Sequence, residues 1–179
     1  AYTVNEADIS DVYRLTFDHP SDPDLYRYAD DWRRAESWEI ELTVKGETQP
    51  RRYQLRKSHH GPITKQEDET HFFAIKVPRL YDGSRMVQSL AQARATNFTE
   101  WYTAASSLQL QTFNTMYADA DCNIFYLYNG TVAKRKTGID WTKPVDGSYP
   151  ALDWAQFHLL EVLPPVLNPA YGFLQKPNS

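Results

Sequence analysis

The sequence predicts an α+β fold, and three observations predict it. Apolar residues first recur at every second position between turn-forming residues, which is strand spacing. From Ser84 they recur at three-and-four spacing, which is helical. From Phe113 the pattern returns to strands around a polar turn. Strands, then helices, then a hairpin in 179 residues are expected to form antiparallel hairpins with two or more helices, in one domain spanning 1–179.

Each element follows in order. Residues 12–17 alternate and read as a strand, followed by a turn-rich loop over 19–24, where two prolines and two aspartates stop regular pairing. Residues 38–44 alternate cleanly, with Trp38, Ile40, Leu42 and Val44 on one face. After Lys45-Gly46 a return strand over 52–56 carries Tyr53 and Leu55 on one face. His59-His60-Gly61-Pro62-Ile63 breaks it, and 72–77 forms the next strand. Met86, Val87, Leu90 and Ala91 predict a first helix. Asn97-Phe98-Thr99-Glu100 is a capping-box variant, Asn97 as N-cap and Glu100 at N3, and it starts a second helix through Trp101, Tyr102, Ala105 and Leu108. Phe113 to Gly130 is a hairpin closed by Asp119-Ala120-Asp121-Cys122-Asn123, whose short polar side chains bond nearby backbone and tolerate left-handed φ. Asp153-Trp154 and a Pro-rich tail follow.

Composition narrows the function. A hydrophobic share of 41% with 23% charged residues is that of a globular core, and 14% aromatics favours sheet. The net charge of −4, with basic residues scattered among carboxylates, argues against a nucleic-acid partner. No run is long enough to span a membrane as a helix. Cys122 is the single cysteine, so an intrachain disulfide is excluded. His59 and His60, taken as neighbours in a strand, point to opposite faces, which is poor for chelating one metal, and both read as structural or surface residues. No G-x-S-x-G elbow supports a triad with His19, His59, His60, His71 or His158.

The hairpin resembles a signature of the penicillin acylases, a family of N-terminal nucleophile hydrolases. There an apolar strand meets Asn, then Tyr-Ala-Asp-x-x-Gly-Asn-Ile, then an aromatic strand. Further short motifs agree in order. They are Tyr2-Thr3-Val4-Asn5, Asp11-Val12-Tyr13, His60-Gly61-Pro62-Ile63, Asn97-Phe98-Thr99-Glu100-Trp101, Asp153-Trp154 and Asn168-Pro169 with Gly172-Phe173. The resemblance, shared with acyl-homoserine lactone acylases, covers nearly the whole chain and looks like the middle of the β subunit. Cys122 departs from it by standing where Gly is usual, and Lys176-Pro177 by replacing an Asn followed by an aromatic, Cys or Ser.

The resemblance implies part of an αββα hydrolase that cleaves N-acyl amides such as penicillins or acyl-homoserine lactones with a free N-terminal Ser. This chain begins with Ala1, so the isolated chain is expected to lack the nucleophile and to be inactive. The resemblance places the oxyanion hole at the Val4 backbone N–H and the Asn178 side chain. Taken alone, Val4 reads as a core strand residue and Asn178 as a tail residue. It also places Asp8 and Asp11, with Ser10 between them, where some members bind structural calcium; no other cofactor is implied. Implied partners are the remainder of the enzyme, a small N-acyl amide and, for the fragment, further copies of itself, in a periplasmic or secreted setting. The alternative is a non-catalytic binding or assembly module that keeps the acylase-like fold.

Overall fold

The computed structural model describes residues 1–82 and 84–175. Its first half is all strand: β1 (Tyr2–Val4), β2 (Asp11–Thr16), β3 (Leu25–Tyr28), β4 (Asp31–Arg34), β5 (Glu36–Leu42), β6 (Arg51–Lys57), β7 (Ile63–Gln66) and β8 (His71–Lys76). Helices α1 (Arg85–Arg94) and α2 (Phe98–Ala105) follow, then strands β9 (Phe113–Ala118), β10 (Ile124–Tyr128), β11 (Val145–Asp146) and β12 (Pro165–Leu167). This is the α+β composition that the spacing predicts. No helix among the described residues is long and apolar enough to cross a membrane. Contacts divide the chain into two compact units, each built from separated stretches of sequence.

The first unit comprises Ala1–Ile9, Pro78–Lys134 and Ala155–Ser179. Its sheet has the order β1-β9-β10-β12, antiparallel throughout. The hairpin β9–β10 forms where the sequence places it. Asp119 closes it, accepting from the backbone N–H of Asp121 and Asn123 at 3.0 and 2.9 Å. Cys122 sits in the left-handed region at φ 65°, which is why Gly serves at that place in the resembling family. Helix α2 packs Trp101 and Ala105 with Phe125 and Leu127 of β10 and with Leu160 and Leu163. The Pro-rich tail supplies a strand that the sequence reading omits. Pro165 is the first residue of β12 on an edge, a position where a missing N–H costs no ladder bond.

Helix α1 inverts the expectation. Its buried residues are Gln88 and Gln92, whereas Met86, Val87 and Leu90 are exposed. Gln88 stays inside because its Oε1 accepts from Gln109 N and Ser107 Oγ at 2.6 and 3.1 Å.

The second unit comprises Ser10–Val77 and Arg135–Trp154. Its sheet has the order β11-β2-β8-β7, with β2 antiparallel to β8 and parallel to β11. Alternation in β2 buries Asp11, Tyr13 and Leu15. Tyr13 and Leu15 join Phe17, Tyr26, Ala35, Ala74, Val145 and Leu152 in one core. Hairpins β3–β4 and β5–β6 complete the unit. In β5–β6 Trp38 pairs with Leu55 and Ile40 with Tyr53, as alternation predicts, yet Trp38, Leu42 and Tyr53 are exposed.

Candidate functional site

In the first unit the Val4 peptide is positioned by the ladder of β1 and β9. Ala1 and Met116 exchange both backbone bonds, and Asn5 N donates to Thr112 O. Antiparallel pairs alternate between bonded and non-bonded, so Val4, opposite Phe113, belongs to a non-bonded pair. Its N–H therefore faces the open edge of the sheet, because β1 is an edge strand. The Val4 side chain is 64% exposed, so it is no core residue, contrary to what the strand pattern alone suggests. Buried asparagines hold this strand end. Asn114 Nδ2 donates to Val4 O and Thr3 Oγ1 at 3.1 Å each, and Asn114 Oδ1 accepts from Tyr126 OH at 2.8 Å. Asn5 Nδ2 donates to Asn129 O at 2.7 Å.

Asn178 lies outside the described residues. The segment leading toward it is anchored in the same unit. Asn168 at φ 46° exchanges bonds with β10, its N–H donating to Ile124 O at 2.9 Å and its Oδ1 accepting from Ile124 N at 2.8 Å. A groove lined by Ala1, Met116, Ile124, Gly172, Phe173 and Leu174 then brings that segment beside the start of β1.

In the second unit two motifs quoted separately from the sequence meet. His59 and His60 lie in the turn Ser58–Gly61 rather than in a strand, so alternation does not apply to them. Their rings approach to 3.8 Å between centroids, and both reach Asp153. His59 Nε2 stands 3.3 Å from Asp153 Oδ2, and His60 Nδ1 stands 3.3 Å from Asp153 Oδ1. This corrects the reading that the two side chains diverge. Tyr28 OH donates to Asp153 Oδ2 at 2.6 Å, and Tyr26 OH bonds His59 Nδ1 at 2.7 Å. His60 is buried, stacked on Tyr13 at 3.8 Å, with its Nε2–H donating to Gly147 O at 3.0 Å. Burial pushes the His60 imidazole down to about 4. Burial works against the charge of Asp153, but the bonds from His59 and Tyr28 prevail and hold it at about 2. Ser58 Oγ is spent on the turn, donating to Gly61 O and accepting from His60 N. Among the described residues neither imidazole is bonded to a Ser hydroxyl or a thiol, so this cluster is not a nucleophile triad.

Asp8 and Asp11 fall in different units. Asp11 is buried, and its Oδ2 accepts from Arg135 Nε at 2.8 Å and Trp154 Nε1 at 2.6 Å. A guanidinium already answers this carboxylate oxygen, which does not fit a hard divalent cation at that atom. Arg135 carried no signal in the sequence beyond membership of a short basic run; its partner is 124 residues away.

The mixed α+β fold, with mostly antiparallel sheets and two helices, is that of the N-terminal nucleophile hydrolases. The family model described as penicillin amidase matches residues 1–179, and the chain belongs to that family. It is 32% identical over 160 residues to the penicillin G acylase of Escherichia coli, a match covering 88% of this chain and 18% of that protein. The solved thermostable penicillin G acylase from Alcaligenes faecalis superposes with a TM-score of 0.81 at 27% identity, covering 100% of this chain and 32% of that one. The chain thus spans less than a third of the length of either relative.

Proposed function

We propose that this chain is part of an amidohydrolase that cleaves small N-acyl amides, contributing one backbone donor of the oxyanion hole at Val4. The observation that carries this reading is the orientation of the Val4 N–H toward the open sheet edge, in a chain that belongs to the penicillin amidase family. A tetrahedral intermediate gains most from donors fixed before the reaction, and the Asn114 bonds to β1 supply that fixity. Asn178 is the proposed second donor. The nucleophile and its base belong to the rest of the enzyme, and the isolated chain is inactive. Penicillins and acyl-homoserine lactones are the proposed substrate classes, and the enzyme works in the periplasm or outside the cell.

The test uses a backbone substitution in the complete enzyme. Val4→Pro removes the N–H that faces the open edge while leaving the ladder to β9 unchanged. Turnover of a chromogenic acyl anilide should fall by about 10²–10³ with a smaller change in KM, whereas Val4→Ala should be nearly neutral. A folded Val4→Pro enzyme with full turnover would remove Val4 from the hole. The isolated chain should show no turnover of phenylacetyl or long-chain acyl anilides. Activity abolished by substituting a residue within it would overturn the reading.

A further inference from the structure

We infer that His59, His60 and Asp153 form a binding site for a first-row transition metal of the zinc class. The three side chains offer ligand atoms that lie within 4.8 Å of one another. Each imidazole nitrogen stands 3.3 Å from its own oxygen of the Asp153 carboxylate. Adjacent ligands at about 2.0–2.2 Å from a tetrahedral metal are separated by about that length. The donors are two nitrogens and a carboxylate, a set suited to zinc or cobalt rather than to calcium or magnesium.

The second observation is an unanswered pair of acceptors. His60 donates its Nε2–H to Gly147 O, so its Nδ1 carries the lone pair in the neutral ring. That Nδ1 and Asp153 Oδ1 are both buried, neither has a hydrogen-bond partner among the described residues, and they face each other. Two lone pairs in that arrangement repel unless a cation lies between them. The His60 side chain is only 1% exposed, so bulk water is not its answer.

Every ligand also has an orienting partner of the kind metal sites use. Gly147 O fixes the His60 tautomer, Tyr26 OH holds His59 Nδ1, and Tyr28 OH holds Asp153 Oδ2. Gly at 147 is needed for this, since a Cβ there would meet Leu15 Cδ2 at 2.5 Å and His60 Nε2 at 3.3 Å. Lys76 of the sheet acts on His60 electrostatically; its ammonium lies over the Trp154 ring at 4.6 Å and interacts with Asp153 and Asp11. His59 and Asp153 retain partial exposure, 15% and 24%, which leaves an entry path and room for a solvent ligand. The bound metal would tie the turn at 59–60 to the strand-free segment at 153.

The experiment is a cobalt(II) titration of the chelator-stripped full chain, read by visible d–d absorption, followed by displacement with zinc. One cobalt per chain with bands of four- or five-coordinate geometry is expected, lost on addition of zinc. His59→Ala, a partly exposed position, should weaken binding at least about 100-fold. Tyr26→Phe, which removes the hydroxyl's bonds to His59 Nδ1 and to the His59 backbone N–H but no ligand, should weaken it about 10-fold. Circular dichroism identifies any variant that fails to fold, and Tyr26→Phe then carries the test. Absence of saturable binding, or equal affinity in wild type and both variants, would overturn the site. So would loss of binding in His71→Ala instead, which would assign the metal to the exposed Glu67–Asp68–His71 turn.

Discussion

Gly61 is fixed by its neighbour rather than by its own turn. Its φ is +143°, and a Cβ there would lie 2.1 Å from the Ile75 carbonyl oxygen of β8. Gly61→Ala therefore combines a backbone cost of about 1–3 kcal/mol with a clash that side-chain rotation cannot relieve. Urea unfolding of the second unit should shift to markedly lower denaturant; an unchanged midpoint would mean that the turn is not seated against β8. In the same unit, Arg135 is the mate of a carboxylate that is 1% exposed. Arg135→Ala leaves Asp11 charged, buried and short of a partner, and should cost about 3–5 kcal/mol. Neither residue advertises this in sequence. Gly61 reads as punctuation and Arg135 as a solvated charge, because their reasons lie on other strands, β8 for Gly61 and β2, 124 residues away, for Arg135.

Among the elements, α2 is the one whose start is written most plainly. Asn97 Oδ1 accepts from Glu100 N at 2.9 Å, as an N-cap should. The return bond differs from the usual box: Glu100 Oε2 accepts from Thr96 N and Oγ1 at 2.9 and 3.0 Å, one residue earlier than the cap. Asn97→Ala should destabilise the first unit by about 1 kcal/mol, measured by thermal unfolding. The bonds from Thr96 lower the Glu100 carboxyl below its ordinary value of 4.5. A depressed carboxyl contributes stability above its unfolded value and loses it as pH falls through the folded one. Acidification below about pH 4.5 should thus release part of the cap, and Glu100→Gln should flatten that part of the pH profile. Local signals of this kind made the hairpin, α2 and strands β2, β5, β6 and β8 legible. The short strands β3, β4, β7, β11 and β12 were not, since two to four residues hold too few alternations to stand out. The site was legible in part for the same reason. Motif order led to Val4, while the meeting of His59 and His60 with Asp153 depends on a contact across 94 residues.

At the scale of the whole molecule, apolar faces remain in water. Met86, Val87 and Leu90 on α1 are 78%, 69% and 51% exposed, and the β5–β6 hairpin shows Trp38, Leu42 and Tyr53. Such faces mark interaction surfaces, and the relatives are several times longer than this chain. Met86→Lys with Leu90→Glu should leave the melting temperature of the chain nearly unchanged while reducing self-association in light scattering and weakening capture of the remaining enzyme. A large loss of stability instead would show that α1 is packed through that face.

Both units are assembled from stretches that do not follow one another. β1 needs β9, with Tyr2 beside Thr115, and β2 needs β11, with Tyr13 beside Val145. A ribosome delivers residues in order, so the opening strand of each unit must wait, unpaired on that side, while more than a hundred residues emerge. A nascent chain halted at Lys134 already holds the hairpin β9–β10 but lacks Val145, Leu152 and Trp154. Its second unit is then an apolar sheet without its closing segment, and that interval is when a chaperone has most to bind.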